Sequence, residues 1–201
     1  SKLHADLWAE LGNEPAGWPK VRKNSSGYAL DRFLPEANAV QLVVGSEGTI
    51  AVVTSVTLTL APVPEAQAVA LVPVRNSLDL PILLQWARDN EASACEFFGR
   101  RFLEVTSLTD HTFAGTAVEG AEAALLLELD GDPDSVSEGV ASLRGLAREL
   151  GLRAIVGTQE IDRTKLWSVR HAASRSIAES ARTGLVSTQI IEDSVVPPEA
   201  L

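Results

Sequence analysis

Two periodicities organise this chain. From Ile50 the apolar side chains of Ile50, Val52, Val56, Leu58 and Leu60 fall on one face of an extended backbone, with Ser55, Thr57 and Thr59 on the other. A period of two predicts a half-buried strand, entered here from a turn in Val43–Thr49 that contains Gly45 and Gly48. Ahead of it, Leu3, Leu7, Trp8 and Leu11 make a short amphipathic pattern that ends at Gly12 and the loop signals Pro15, Gly17 and Pro19. After it, the stretch Ala61–Ala68 (APVPEAQA) puts two prolines into a polar run, which breaks the strand pattern and predicts a domain boundary.

Beyond that boundary the pattern alternates between strand and helix. Val69–Val74 reads as a strand, and Asp79–Asn90 as a helix with Leu80, Leu83, Leu84 and Ala87 on one stripe. Cys95–Phe98 reads as a returning strand, Arg101–Gly120 is loosely patterned, and Ala123–Leu129 is strongly apolar. Asp132 has the character of an N-cap with Pro133 in the first helical position. The helix it starts carries Val136, Val140, Leu143, Ala147 and Leu150 at helical spacing and stops at Gly151, before a short strand at Arg153–Gly157. Strand, helix, strand, repeated, is a split β-α-β pattern. It predicts an α+β fold with a ferredoxin-like antiparallel sheet and helices on one face.

A last helix is predicted over Asp162–Ala181. At about 100° per residue, Leu166, Val169, Ala173, Ile177 and Ala181 form its buried stripe. Trp167, Arg170 and Ser174 line one flank of that stripe, while Arg175 and Arg182 fall on the opposite, solvated side.

Composition narrows the function classes. The 201 residues carry 17 Lys plus Arg against 27 Asp plus Glu, a net charge of -10. No basic patch offsets this charge, so nucleic acid and anionic membrane are poor partners. No apolar stretch approaches a membrane span, and no signal-peptide order stands at the N-terminus. The single cysteine, Cys95, cannot form an intramolecular disulfide, which fits a reducing, cytoplasmic setting. His4, His111 and His171 lie far apart without ligand spacing, so no metal site is expected. The chain contains no methionine. That points to a processed or engineered internal piece of a longer protein, or to a sequence written without its methionines.

Three stretches could carry chemistry. Gly45 and Gly48 free a tight turn to take positive φ and to approach a planar or phosphorylated ligand closely, although on the two glycines alone a plain turn between strands is the stronger reading. Glu47 between them could act as a base or accept backbone N–H bonds to stabilise the turn. Lys20, Arg22 and Lys23 beside the polar Asn24–Gly27 could cradle an anion or form a solvated loop. Arg170, held at the edge of an apolar face, needs an anionic partner. That partner could be a ligand carboxylate, with the Ser174 hydroxyl one turn later as a second donor, or an internal acid such as Glu160 or Glu179.

Taken together, Lys23–Leu30 (KNSSGYAL), GSEGTIAVVT at Gly45–Thr54 and the closing TLTLAPVPE resemble the second half of the FAD-binding domain of FAD-linked oxidases. These are flavin dehydrogenases of the vanillyl-alcohol-oxidase type that act on D-2-hydroxy acids, such as glycolate oxidase subunits and D-lactate dehydrogenases. KLWSVRH and IIEDSVVPPEAL look like the same family's substrate-side cap.

The resemblance implies two domains, residues 1–62 as the C-terminal part of an FAD-binding domain and 63–201 as an incomplete cap. It implies FAD as cofactor, contacted by Asn24, Ser25, Gly27 and Tyr28 and by Gly45, Ser46, Glu47, Gly48, Thr49, Ile50 and Val53, mostly through backbone atoms. It makes Arg170 the ligand of the substrate carboxylate, supported by Ser174, in an enzyme that passes a hydride from a small 2-hydroxy acid to the flavin.

Some members add a lysine after this helix, and Leu185–Ile191 has none. The IIEDSVVP version looks more like members fused to iron–sulfur oxidoreductase domains, which implies an iron–sulfur electron acceptor, as domain or subunit, in the parent. The family's glycine-rich pyrophosphate loop and its metal-binding histidines match nothing here, so the chain alone is expected to hold FAD weakly and to be inactive. Two rival functions are an FAD-dependent alkyl transferase without net redox change and a non-catalytic ferredoxin-like module for small-molecule binding or dimerisation. The last leaves KNSSGYAL and GSEGT unexplained.

Overall fold

The computed structural model describes residues 2–12, 21, 27–109 and 118–182, with the backbone path alone for 105–109 and 172–182. The chain divides into two units, separating between Leu60 and Ala61.

In the first unit the described residues form three helices, α1 (Lys2–Leu11), α2 (Leu30–Glu36) and α3 (Ala39–Val43). Phe33 and Leu34 of α2 are its buried apolar residues, and the α1 imidazole of His4 sits 2.8 Å from the carbonyl of Leu34. Asn38 caps α3 by accepting a hydrogen bond from the Val40 N–H, and the turn at Gly45–Gly48 follows.

The strand predicted from Ile50 to Leu60 does not form. Residues 51–60 carry no regular structure, and Val52, Val56, Leu58 and Leu60 are 69–88% exposed. A strand is stabilised by ladder hydrogen bonds to a neighbour and by side chains packed against one face. No other described segment of this unit is a strand, so the period-two pattern has nothing to pair with.

The second unit holds one four-stranded antiparallel sheet: β1 (Ala66–Val74), β2 (Ala94–Gly99), β3 (Ala123–Gly131) and β4 (Ile155–Gly157), in the order β2-β3-β1-β4. Between them run α4 (Leu80–Asp89), entered through a short 3-10 turn at Ser77–Asp79, then α5 (Arg100–Thr109) and α6 (Pro133–Glu149). The long α7 (Glu160–Arg182) follows β4. This is the ferredoxin-like arrangement, with β1-α4-β2 and β3-α6-β4 as its two halves. The loosely patterned Arg101–Gly120 begins with α5, a helix the periodicity did not reveal.

Both central strands are apolar on consecutive residues, which suits a sheet covered on both faces. Ala68, Ala70, Val72 and Val74 of β1 and Ala123, Leu125, Leu127 and Leu129 of β3 pack with Leu83, Trp86, Val136 and Leu143 of the crossover helices α4 and α6. Those two helices share one face, as expected. The opposite face is covered as well: Val69, Leu71, Ala124 and Leu126 pack with Leu103 of α5 and with Leu166 and Val169 of α7.

Local chemistry fixes how these helices start and seat. Asp132 caps α6 by accepting from the Ser135 N–H at 3.0 Å and from the Ser135 hydroxyl at 2.5 Å, with Pro133 in the first turn. The cap holds the Asp132 carboxyl below the usual carboxylate range, chiefly through the Ser135 hydroxyl and then its N–H. Gly157, at the end of β4, lets the first turn of α7 come close. A Cβ added there would stand 2.9 Å from the Asp162 backbone carbon.

Candidate functional site

In the first unit the candidate residues gather at the turn. Gly45 (φ 79°), Glu47 (φ 51°) and Gly48 (φ 74°) are all left-handed, a conformation that costs glycine little and glutamate more. The Thr49 hydroxyl donates to the Ser46 carbonyl at 2.6 Å and the Thr49 N–H donates to the same oxygen at 3.0 Å. Thr49 has one hydroxyl proton, spent on Ser46, so the Tyr28 hydroxyl 2.8 Å away is the donor to Thr49 Oγ1. The structure thus brings Tyr28, from the KNSSGYAL stretch, onto the GSEGT turn.

Ser46 is buried and anchors this turn, whereas Gly45, Glu47, Gly48 and Thr49 are exposed. Glu47 accepts no hydrogen bond from a described residue, so the turn is closed by Thr49 and not by the acid. Ile50 and Val53 follow as exposed side chains, and Gly27 is exposed with positive φ. Asn24 and Ser25 lie outside the described residues.

In the second unit the candidate site is the flank of α7 over the β2-β3 edge of the sheet. Leu166 and Val169 are buried against the sheet, which fixes the rotation of α7 and sets Trp167 and Arg170 along its flank. Arg170 Nε lies 3.3 Å from Glu96 Oε2, with the two side chains 48% and 40% exposed. Among the described residues its internal partner is therefore Glu96 on β2 and not Glu160 of its own helix, while the side chain of Glu179 lies outside them. The closest approach of the pair is through Nε. The terminal guanidinium nitrogens make no hydrogen bond to a described residue, and they form the edge that could take a carboxylate bidentately.

Three residues earlier on α7, the Trp167 indole N–H donates at 2.7 Å to Oε2 of Glu128, on the other strand of this edge. The His171 ring lies 6.3 Å from that of Trp167, centroid to centroid. Ser174 is on the helix backbone one turn beyond Arg170, and its side chain lies outside the described residues, as does the closing IIEDSVVPPEAL segment.

Glu96 and Glu128 are the functional candidates that residue patterning missed. The signal was present: each is a lone acid in an apolar strand, ACEFFG and AALLLEL, at a position whose parity faces the sheet's second core. Such a position costs desolvation unless a donor meets it. Next to Glu96, the Cys95 thiol is pushed above its ordinary range, mainly by the protein packed round its sulfur and then by the Glu96 charge, although the residue as a whole stays exposed. Among the described residues no three His, Cys, Asp or Glu side chains come together to hold a metal ion. No described helix is long and apolar enough to cross a membrane.

Residues 63–201 match the family model of the C-terminal domain of FAD-linked oxidases. The chain belongs to that family. FAD is the cofactor of these flavin oxidoreductases. Over 181 residues the chain is 29% identical to the glycolate oxidase subunit GlcD of Bacillus subtilis strain 168, covering 89% of this chain and 35% of that protein. It is 36% identical over 87 residues to a D-lactate dehydrogenase of Archaeoglobus fulgidus, covering 43% of this chain and 18% of the relative. A probable mitochondrial D-lactate dehydrogenase of Danio rerio is 28% identical over 168 residues, which are 77% of this chain and 29% of that one. The chain thus spans about a third or less of the relatives it matches.

Proposed function

We propose that this chain is part of a flavin-dependent dehydrogenase of small 2-hydroxy acids. Residues 1–62 belong to its FAD-binding domain and 63–201 to its substrate-side cap. The observation that carries this reading is Arg170: a half-exposed arginine on the flank of a helix, nearest its one described acid through Nε, with terminal nitrogens that make no hydrogen bond to a described residue. Arg170 binds and orients the substrate carboxylate, with Ser174 as a second donor. Orientation of this kind makes the reacting carbon approach its acceptor in a fixed geometry, which is where a protein contributes most to hydride transfer.

The turn of the first unit fits a flat cofactor lying against backbone. Space beside Gly45 and Gly48 is open, since a Cβ built on either meets nothing within 4 Å. Tyr28 and Thr49 hold the turn from its other end. The residues proposed to line FAD are Gly45, Ser46, Glu47, Gly48, Thr49, Ile50 and Val53, with Asn24, Ser25, Gly27 and Tyr28 beside them. Glu47 would repel a pyrophosphate, so these residues suit the uncharged parts of the molecule. When bound, the flavin supplies the hydride acceptor. An iron–sulfur domain or subunit that reoxidises it, and a cytoplasmic location, are the further parts of this proposal.

The test is Arg170→Ala in the full-length protein. A charge-assisted bond to carboxylate is worth about 1.5–3 kcal/mol, so kcat/KM for a 2-hydroxy acid is expected to fall about ten- to a hundredfold with flavin content unchanged. Loss of flavin and of thermal stability together with activity would instead make Arg170 a structural partner of Glu96.

A further inference from the structure

The sheet places an excess of negative charge beside Arg170. Ala94 of β2 stands opposite Glu128 of β3, and Glu96 is two residues further along the same face of β2. Glu96 and Glu128 are therefore diagonal neighbours, about 7–8 Å apart at their Cα atoms. Glu128 takes the Trp167 N–H and has no cation among the described residues, while Glu96 shares Arg170. The guanidinium pairs with Glu96, and a second carboxylate, Glu128, stands diagonal to that acid across the two strands. A ligand carboxylate that docks on the terminal nitrogens of Arg170 adds one negative charge to this group. A ligand with a second carboxylate adds another within reach of Glu96 and Glu128, and half-exposed acids still repel at that range.

We propose that Glu96 and Glu128 are specificity-determining residues, which make the Arg170 site accept 2-hydroxy monocarboxylates with uncharged side chains and reject dicarboxylates. This rests on the reading of Arg170 as the carboxylate ligand. The two acids differ in how they act. Glu96 competes directly, because its carboxylate is already paired with Arg170, and a ligand must share or displace it. Glu128 is fixed by the Trp167 indole and acts as a standing charge. Replacement by glutamine keeps the size and one acceptor oxygen, removes the charge and turns the other oxygen into an N–H donor.

The experiment compares D-lactate with D-malate on the full-length flavoprotein, by initial rates with a dye acceptor and by calorimetric binding without one. The variants are Glu96→Gln, Glu128→Gln and Arg170→Ala. The wild type is expected to prefer D-lactate. Glu96→Gln should raise kcat/KM and affinity for D-malate relative to D-lactate about tenfold, with Glu128→Gln in the same direction and smaller. Arg170→Ala should weaken both acids. A wild type that prefers D-malate, or glutamine variants that keep the wild-type ratio while Arg170→Ala still weakens both acids, overturns the assignment of Glu96 and Glu128 and leaves Arg170 standing. If Arg170→Ala weakens neither acid, the reading of Arg170 fails and the selectivity argument falls with it.

Discussion

Residues 50–60 and β3 carry comparable hydrophobic signals and have opposite fates. The first stretch alternates apolar and polar over a full strand length, yet it pairs with nothing, and its valines and leucines stand in solvent. β3 is a near-continuous apolar run, bonded to β1 on one side and β2 on the other, and Ala124, Leu125, Leu126 and Leu127 are buried. The difference lies outside both segments. An extended chain leaves every second backbone group pointing sideways, and only a neighbouring strand satisfies those groups while also covering a face. β3 has two strands beside it and helices on both faces. The 50–60 stretch has neither among the described residues, so alternation expresses a capacity for strand pairing that is not used here.

Truncation separates the two most sharply. Leu126→Ala removes a fully buried side chain from the core under α7 and is expected to cost about 2–5 kcal/mol, read from urea or thermal unfolding followed by circular dichroism. The matching change Leu58→Ala, at an exposed position, should move stability by no more than about 0.5 kcal/mol. A large loss from Leu58→Ala would mean that the stretch is buried in solution, and the contrast would collapse.

A smaller effect tests how closely the α7 face of the sheet is covered. Gly157→Ala drives a methyl group against the backbone of Asp162 and Arg163, which cannot yield as a flexible side-chain end could. Overpacking of this kind costs about 1–3 kcal/mol and should displace the start of α7. Retained stability would show that α7 seats more loosely than the structure indicates. Because Arg170 rides on the same helix, the variant should also weaken the carboxylate binding proposed for it.

The smallest effect concerns the end of β3, where Asp132 turns the chain into α6. Its carboxyl is held below the ordinary aspartate range, so its contribution is complete above the unfolded value and is lost as pH falls through the lowered folded one. Asp132→Asn keeps a good cap without the charge. The variant's stability should therefore fall less steeply than the wild type's below about pH 4, the ordinary aspartate value. Equal acid sensitivity in the two proteins would remove Asp132 from the account.

Local physics was legible in the residues themselves. The Asp132–Pro133 start of α6, the Gly151 stop, the stripe of Leu166 and Val169 and the two strand-helix-strand halves all follow from spacing, capping and the conformational freedom of glycine, which act over a few residues. Arg170 could be recognised as an arginine in need of an anion for the same reason. Which anion it meets was decided by the sheet. Glu96 is 74 positions away in sequence and reaches it only because β2 lies at the edge under α7, and Glu128 reaches Trp167 through β3 in the same way. The helix α5, the covering of the second face and the unpaired state of residues 50–60 belong to the same class. Each depends on which surfaces find partners, and a hydrogen-bond ladder or a buried face is a property of two segments that neither contains alone.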